Sequence, residues 1–431
     1  MPEHPPSHDD IERFTQDQLD ALVGLHNRFL EGRLGGRRAT VRTVNLSGLS
    51  LKGRDLRQSS FMGCVMTDMD LSSANFQEAA LYACDLSHSN LNKTCFVRAD
   101  LRGARIENAS LQGADLERAD LRVGGLSDGG TYDSGQAVNF RGANLSGAKL
   151  AGSIASKADF SDANLAGANM AKADLRGAQM EGADLSGAEI GGAQLSGANL
   201  KSAILTGIAV ADFLSSNVDL SQAITDDNVG VSVSDLSEPL PQLIEHHKSW
   251  VQSAGQSGKQ LDLSAVDMRA LKSLKMEKLT AIRAVGAKFL GMNLYKIELQ
   301  SAVLDESDFR NCDMEGADVR GASFKRANFS QGRLKGINGA PLMFGSSAGA
   351  KRFSPCDFEG AKLRYADLSG AQLKSAVFKG ADLSYADLSG ADLRDADFTN
   401  ARLEGANMEG AQTEGAIMPV TRTRVFKIPV G

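Results

Sequence analysis

The chain has 431 residues, of which 42% are hydrophobic and 23% are charged, and its formal net charge is −6. This length can hold about two or three domains, while the charge is too small to indicate nucleic-acid binding or DNA mimicry. No run of about 18 apolar residues is present, which excludes a membrane-spanning helix. The N-terminal sequence MPEHPPSHDDIERF lacks the basic start and apolar run of a signal peptide, and the five cysteines show no paired motif spacing. These features predict a cytoplasmic protein with reduced thiols.

The first predicted element is an amphipathic helix over residues 15–32, which follows a disordered N-terminus over residues 1–14. Thr15 and Gln18 have the spacing of a capping box, and a glycine ends the segment. The same apolar pattern returns at a constant offset in the second half of the chain, which predicts a second helix over residues 237–255. Matching positions in the two helices are Leu22 and Leu243, His26 and His247, and Phe29 and Trp250.

After each helix, a large apolar residue stands at every fifth position, with a small residue two positions before it. A period of five fits neither an α-helix, at about 3.6 residues per turn, nor a strand, whose side chains alternate. It requires a backbone that turns a corner every five residues. The apolar positions run from Leu46 to Leu126, from Phe140 to Leu220, from Leu274 to Leu334 and from Phe353 to Met408, with Ala155, Ser215 and Ala284 as lapses.

A second period, four repeats long, separates many of the phenylalanines at these positions. Four repeats per turn would place such rings one coil apart, near the inter-strand spacing of about 4.8 Å, where offset stacking is favourable. The predicted fold class is therefore an all-β solenoid with a square section, in which Ala386 occupies a small inward position. The predicted stacked rings are Phe289, Phe309 and Phe329, and Phe358, Phe378 and Phe398.

The stretch ADLSYADLSGADLRDADF, residues 381–398, carries the motif A(D/N)LXX. With this motif the chain resembles the pentapeptide repeat family over residues 41–222 and 261–418, and the resemblance implies a right-handed quadrilateral β-helix. The first coil of a solenoid exposes strand edges and an apolar section, so each helix is expected to cap the stack that follows it. The predicted order is β-helix 1 over residues 15–224 with a loop break at 127–139, a linker at 225–236, β-helix 2 over residues 237–418 with a loop break at 337–352, and a tail at 419–431.

No catalytic, cofactor-binding or metal-binding residues are predicted. The aspartates of the motif fall on successive faces of the coil, so they are expected to support the corner backbone and not to converge on a metal. The two helix histidines are expected to form hydrogen bonds beneath their helices. Inward cysteines are expected to pack as small apolar residues, although Cys64 and Cys84 lie one coil apart, within the backbone distance of a disulfide. The residues concerned are Asp382, Asp387, Asp392 and Asp397, and Cys64, Cys84, Cys312 and Cys356.

The second break carries three consecutive apolar residues outside the register of five, Leu342, Met343 and Phe344. An exposed apolar group with a polar rim would anchor a protein partner. If the same residues fold back onto the coil wall, they are packing. Both interpretations stay open from the sequence.

The leading functional hypothesis is a non-enzymatic structural and interaction protein that binds a protein partner of unknown identity through its faces and loops. The alternative is a DNA mimic that modulates type II topoisomerase, because the chain is similar to quinolone-resistance pentapeptide proteins in its rod and its two breaks. Residues 353–415 hold eleven acidic and six basic residues, whereas residues 41–126 hold ten of each. Direct binding to nucleic acid or to a membrane is not expected, and the pattern is compatible with a homodimer.

Overall fold

Parallel bridges between residues 20 positions apart wind the chain into coils, each with four five-residue sides. The computed structural model describes residues 11–124, 136–209, 213, 218–227, 230–344 and 352–419. The chain divides into two compact units, Met1–Asn228 and Val229–Gly431. The division falls within the predicted linker at residues 225–236.

Residues 381–385 show how one side of a coil is built. Ala381 and Leu383 are buried, whereas Tyr385 adopts the left-handed backbone conformation at the corner, with a φ of 61°. The amide of Ala386 donates to the carbonyl of Leu383 at 3.0 Å, which closes the turn. Because a corner follows every five residues, most of the ladder consists of single parallel bridges, and the strands are only two or three residues long.

Neighbouring coils are joined by backbone hydrogen bonds and by stacked side chains. The amide of Leu363 donates to the carbonyl of Asp382 at 2.7 Å, and the amide of Asp382 donates to the carbonyl of Ala361 at 2.9 Å. The structure stacks the predicted phenylalanine rings of the second unit, and the interplanar angles of these four pairs are 5° or less. Ring centroids lie 4.7 Å apart for Phe289 and Phe309, 4.8 Å for Phe309 and Phe329, 5.2 Å for Phe358 and Phe378, and 4.9 Å for Phe378 and Phe398.

The first unit begins before its predicted boundary at residue 15. Arg13 forms a parallel bridge with Asn45, and Phe14 packs against the core. The predicted disordered N-terminus is therefore wrong for residues 11–14, which join the first coil by strand pairing, while residues 1–10 lie outside the described ranges. The elements that follow are helix α1, Gln16–Leu30, and the parallel strands β1, Thr40–Arg42, and β2, Ser60–Met62.

Helix α1 starts with the capping box that the sequence predicts. The side-chain oxygen of Thr15 accepts the amide of Gln18 at 3.3 Å, and the amide of Thr15 donates to the Gln18 side chain at 2.8 Å. The helix buries Leu19, Val23 and His26, and the two apolar residues belong to the same core as the coils. Its amphipathic pattern thus places one face against the coils.

The second unit repeats this plan with a different helix start. Strand β3, Val231–Ser232, precedes helix α2, Leu240–Gln252, and strand β4, Val266–Asp267, follows it; β3 and β4 pair in parallel. Two further strands lie later in the chain, β5, Leu342–Phe344, and β6, Arg352–Ser354. The predicted start at Ser237 is wrong, because Pro239 is the N-cap residue and provides no side-chain hydrogen bond. Among the helices in the described ranges, none is long and apolar enough to cross a bilayer.

Candidate functional site

In the described ranges, each unit has one long break in its ladder of bridges, and the two breaks have the same length. Asp120 pairs with Ile154 and Asn338 pairs with Gln372, so bridge partners across each interruption are 34 positions apart instead of 20. Each interruption therefore adds fourteen residues to one coil. Antiparallel pairing closes both: Gly124 bridges Gln136 in the first unit, and β5 pairs with β6 in the second. We call these segments the first insertion (residues 124–136) and the second insertion (residues 342–354).

The first residue of each insertion packs closely against a glycine in the preceding coil, where a larger residue would leave too little space. A Cβ atom on Gly103 would lie 2.4 Å from the carbonyl oxygen of Gly124, so any side chain there would collide with backbone. In the second unit, a Cβ atom on Gly321 would lie 3.0 Å from the Cβ of Leu342 and 3.3 Å from that of Ser354. Each insertion therefore starts next to a residue of the preceding coil that has no side chain.

The second insertion exposes two large apolar side chains on one face. Met343 and Phe353 are direct partners in the antiparallel register and are 54% and 62% exposed. Partners in a strand pair share a face, and the next pair along faces the opposite way. That next pair, Leu342 and Ser354, is partly buried and lies against Gly321.

The three apolar residues predicted to act together, Leu342, Met343 and Phe344, therefore do not all face the same way, because neighbouring residues of a strand point to opposite faces. Leu342 packs towards the coil and Met343 points to solvent, while Phe344 lies in β5 with its side chain outside the described part of the chain. The prediction that Phe353 begins the fourth inward run is wrong, because this residue belongs to β6 and the buried register resumes at Phe358. A signal for this was present in the sequence: the small position before Phe358 is Cys356, whereas the same position before Phe353 is Lys351.

Charged residues lie directly after β6 along the chain. The ammonium group of Lys325 contacts Asp357 at 3.0 Å and Glu359 at 2.9 Å. The two carboxylates raise the pKa of Lys325, and the lysine lowers the pKa of Glu359. Since Lys325 and Glu359 remain partly exposed to solvent, which screens their attraction, these ion pairs fix a charge pattern more than they stabilise the fold.

The two helix histidines have structural hydrogen bonds at both ring nitrogens. His26 accepts the amide of Ala39 at 3.1 Å and donates to the carbonyl of Arg57 at 3.1 Å. His247 accepts the amide of Leu261 at 3.1 Å and donates to the carbonyl of Thr280 at 2.9 Å. Burial lowers the pKa of both imidazoles, which fits the neutral form that this pattern requires.

Other helix residues pack around these histidines. Leu22 and Leu243 are partly buried against their cores. Phe29 stacks on His26, and Trp250 stacks on His247, each at a centroid distance of 5.8 Å. The sequence indicates these four positions, but the buried apolar residues of the helices are their neighbours Leu19, Val23, Leu240 and Ile244.

The motif aspartates support the backbone at the corners. Each accepts a hydrogen bond from the amide two residues later, which is the geometry of an Asx turn. Across the described ranges, no group of three or more His, Cys, Asp or Glu side chains is placed to hold a metal ion. The cysteines at inward positions, Cys64, Cys84, Cys312 and Cys356, are buried free thiols. The corner bonds run from Ser384 to Asp382 at 3.1 Å, Ser389 to Asp387 at 2.9 Å, Arg394 to Asp392 at 3.3 Å and Thr399 to Asp397 at 3.0 Å.

The protein is a β-solenoid repeat protein, because its coils have four five-residue sides and successive coils are joined by parallel bridges. Buried apolar side chains form a continuous column inside the coils. The family model for pentapeptide repeats matches the chain in eight places, which together cover more than half of it, so the chain belongs to the pentapeptide repeat family. Proteins of this family form right-handed β-helices. The matches span residues 43–78, 84–122, 143–182, 163–201, 178–208, 293–331, 352–380 and 376–412.

Several solved structures that match the chain are pentapeptide repeat proteins, and their TM-scores are low. A trypsin-treated form of QnrB1, a plasmid-mediated fluoroquinolone resistance protein, is 24% identical with a TM-score of 0.32, covering 44% of this chain and 92% of that one. HetL from the cyanobacterium Nostoc, involved in heterocyst differentiation regulation, is 21% identical with a TM-score of 0.14, covering 91% and 95%. A thylakoid-lumen protein from Arabidopsis thaliana is 28% identical with a TM-score of 0.15, covering 32% and 67%. No curated protein matches the chain in sequence.

Proposed function

We propose that this protein is a non-enzymatic structural and interaction protein, which binds a protein partner through the second insertion. The observation that carries the proposal is the exposed pair Met343 and Phe353, placed side by side on one face of a short hairpin. The column of large apolar residues at every fifth position is turned inward, whereas Met343 and Phe353 are exposed, so this pair is not required by the register of five. Such apolar pairs with a charged rim are typical anchors of protein interfaces.

The proposal includes two tandem modules, each capped at its N-terminal end by its helix. Support comes from the helix contacts, because α1 and α2 bury equivalent apolar residues and bond a histidine to the coil beneath. Covering the first coil satisfies strand edges that would otherwise pair with another chain. The sequence predicts residues 15–224 and 237–418 as the extents of these modules, and the proposed extents widen to include Arg13, which pairs with Asn45, and strand β3, which pairs with β4.

A binding experiment with matched variants tests the docking proposal. The full chain would be cross-linked to its partners in a lysate of its source cells, and the partner identified by mass spectrometry would then be purified. We expect Met343→Ser and Phe353→Ser each to weaken the measured affinity by about tenfold or more, since anchors contribute about 1–2 kcal/mol or more. Met276→Ser is the control, because Met276 is 64% exposed in the same unit but lies outside the insertion.

Unfolding measurements separate docking from packing. Both serine variants should unfold at the same urea concentration as the wild type, because the side chains they replace are mostly exposed. If either variant unfolds earlier while its affinity for the partner is unchanged, the pair serves packing, and the docking proposal is wrong. The predicted residues Leu342, Met343 and Phe344 stay the candidate partner-binding set, with Phe353 added to it.

A DNA mimic acting on type II topoisomerase is the second candidate, and the acidic excess over residues 353–415 favours it. Several of these acids have basic partners, however, as in Asp392 with Arg394 at 2.7 Å and Asp397 with Lys379 at 3.2 Å. A gyrase supercoiling assay with the purified chain decides between the candidates. Inhibition that survives Met343→Ser and Phe353→Ser would favour mimicry by the coil face, and unchanged supercoiling would exclude it.

A further inference from the structure

The turn between α1 and β1, residues 31–38, is fixed tightly against its helix. Gly32 and Gly35 have φ values of 66° and 77°, and the amide of Arg37 donates to the carbonyl of Leu25 at 3.0 Å. A Cβ atom on Gly36 would lie 2.4 Å from the amide nitrogen of Phe29, so the glycine permits the close approach. We call this segment the arginine loop.

The arginine loop presents a leucine entirely to solvent among arginines. Leu34 is 101% exposed relative to its reference state, the largest value among the exposed large apolar residues of the described chain. Residues 28–42 hold five arginines and one glutamate, whereas the whole chain has a net charge of −6. Arg33 pairs with Glu31 at 2.8 Å, and Arg38 donates to the carbonyl of Gln58. No ion pair within the described ranges involves the remaining arginines, Arg28, Arg37 and Arg42, which are all exposed.

The second unit forms the equivalent turn without an exposed leucine and without a cluster of arginines. Gly258 repeats the role of Gly36, because a Cβ atom there would lie 2.6 Å from the amide nitrogen of Trp250. The residues at the tip of this second turn are Gln256 and Ser257, and Lys259 is its one basic residue. The same local structure therefore forms from polar, weakly charged residues, so the leucine and the arginines of the first turn need another explanation.

We propose that the arginine loop binds membrane surfaces that carry anionic phospholipids. Leu34 enters the boundary between headgroups and acyl chains, and the surrounding guanidinium groups bind lipid phosphates while their aliphatic parts follow the apolar boundary. Basic residues next to an anionic leaflet each favour binding, and the attraction falls off within a Debye length.

The shape and composition of the loop favour a membrane over other anionic partners. A nucleic-acid backbone would use the arginines but offers no apolar contact for a single protruding leucine. A protein partner would need a complementary surface of roughly 800 Å² on each side, so it would have to contact much more of the unit than this eight-residue turn. A bilayer accepts a small convex tip without shape complementarity.

Vesicle co-sedimentation of the full chain tests the proposal. Phosphatidylcholine vesicles with and without phosphatidylserine would serve as probes, over a series of salt concentrations. We expect the protein to sediment with the phosphatidylserine vesicles only, and less so as salt rises. Leu34→Gln should lower the partition coefficient about tenfold, since burial of a leucine is lost. The double variant Arg28→Gln and Arg37→Gln should lower it by a similar factor.

Variants in the second turn provide the matched control. Gln256→Ala and Lys259→Gln occupy the equivalent turn, and their partition should equal that of the wild type. All of these variants should keep the wild-type circular dichroism spectrum, because the replaced side chains are exposed. The proposal is overturned if the wild type does not bind phosphatidylserine vesicles, or if Leu34→Gln binds them equally well. Binding of single-stranded RNA with no vesicle binding would also overturn it and would assign the arginines to nucleic acid.

Discussion

Replacing Phe378 with alanine tests the inward register most directly. Its ring is fully buried, and it stacks between Phe358 at 5.2 Å and Phe398 at 4.9 Å. Truncating a buried phenylalanine costs about 3–5 kcal/mol, and each aromatic pair contributes about 0.5–1.5 kcal/mol beyond its area. We therefore expect Phe378→Ala to lower the free energy of unfolding by about 5 kcal/mol.

Phe353→Ala is the matched control, because Phe353 has the same phase in the register of five but is 62% exposed on β6. We expect its free energy of unfolding to stay within about 0.5 kcal/mol of the wild type. Urea unfolding can be followed by the fluorescence of Trp250, the single tryptophan of the chain, which lies in the same unit. Similar losses in the two variants, or a small loss in Phe378→Ala, would refute the assignment of inward and outward positions.

Three further predictions concern the core, the modules and the helix histidines. Ala386 is buried between Leu383 and Leu388, so Ala386→Leu should overpack the coil and destabilise it by about 1–3 kcal/mol; a melting temperature equal to that of the wild type would contradict this. A fragment of residues 1–224 should be soluble with a mainly β circular dichroism spectrum, and aggregation would show that it depends on the second unit. Burial lowers the pKa of His26 and His247 below 6.5, so the unfolded chain is protonated first on acidification. Their contribution to stability is complete above pH 6.5 and is lost as the pH falls below it, and a variant with both histidines changed to glutamine should show a shallower decline in that range.

The coils were predictable from the sequence because one inward position recurs every five residues over long uninterrupted runs. The constant spacing of Phe358, Phe378 and Phe398 then set the number of sides per coil, and the structure stacks these rings. The capping box at Thr15 was equally visible, since it depends only on local spacing.

The insertions were not predictable in the same way, because their geometry depends on contacts between distant residues. Nothing in the local sequence of Gly321 distinguishes it from a corner glycine, yet it is the residue on which Leu342 and Ser354 lie. The sequence predicts Phe353 as part of the repeat because this apolar residue is in phase with it, and that prediction is wrong. The position two residues before it, Lys351, is too large and too charged for an inward site, and that criterion separates the two cases.

The length of each coil stack also sets the direction in which its insertion leaves the rod. In the first unit, the stack runs from Arg57, which bonds the helix histidine, to Gly124 at the base of the insertion. In the second unit, the corresponding stretch from Thr280 to Leu342 is shorter by one pentapeptide, a quarter of a coil. When each insertion is located relative to the helix of its own unit, the second insertion therefore leaves its coil from the face next to the one that the first insertion uses. Adding or removing one pentapeptide before an insertion would therefore rotate the position of that insertion around the coil axis by about a right angle. The same change would move the insertion along the axis by only about 1.2 Å.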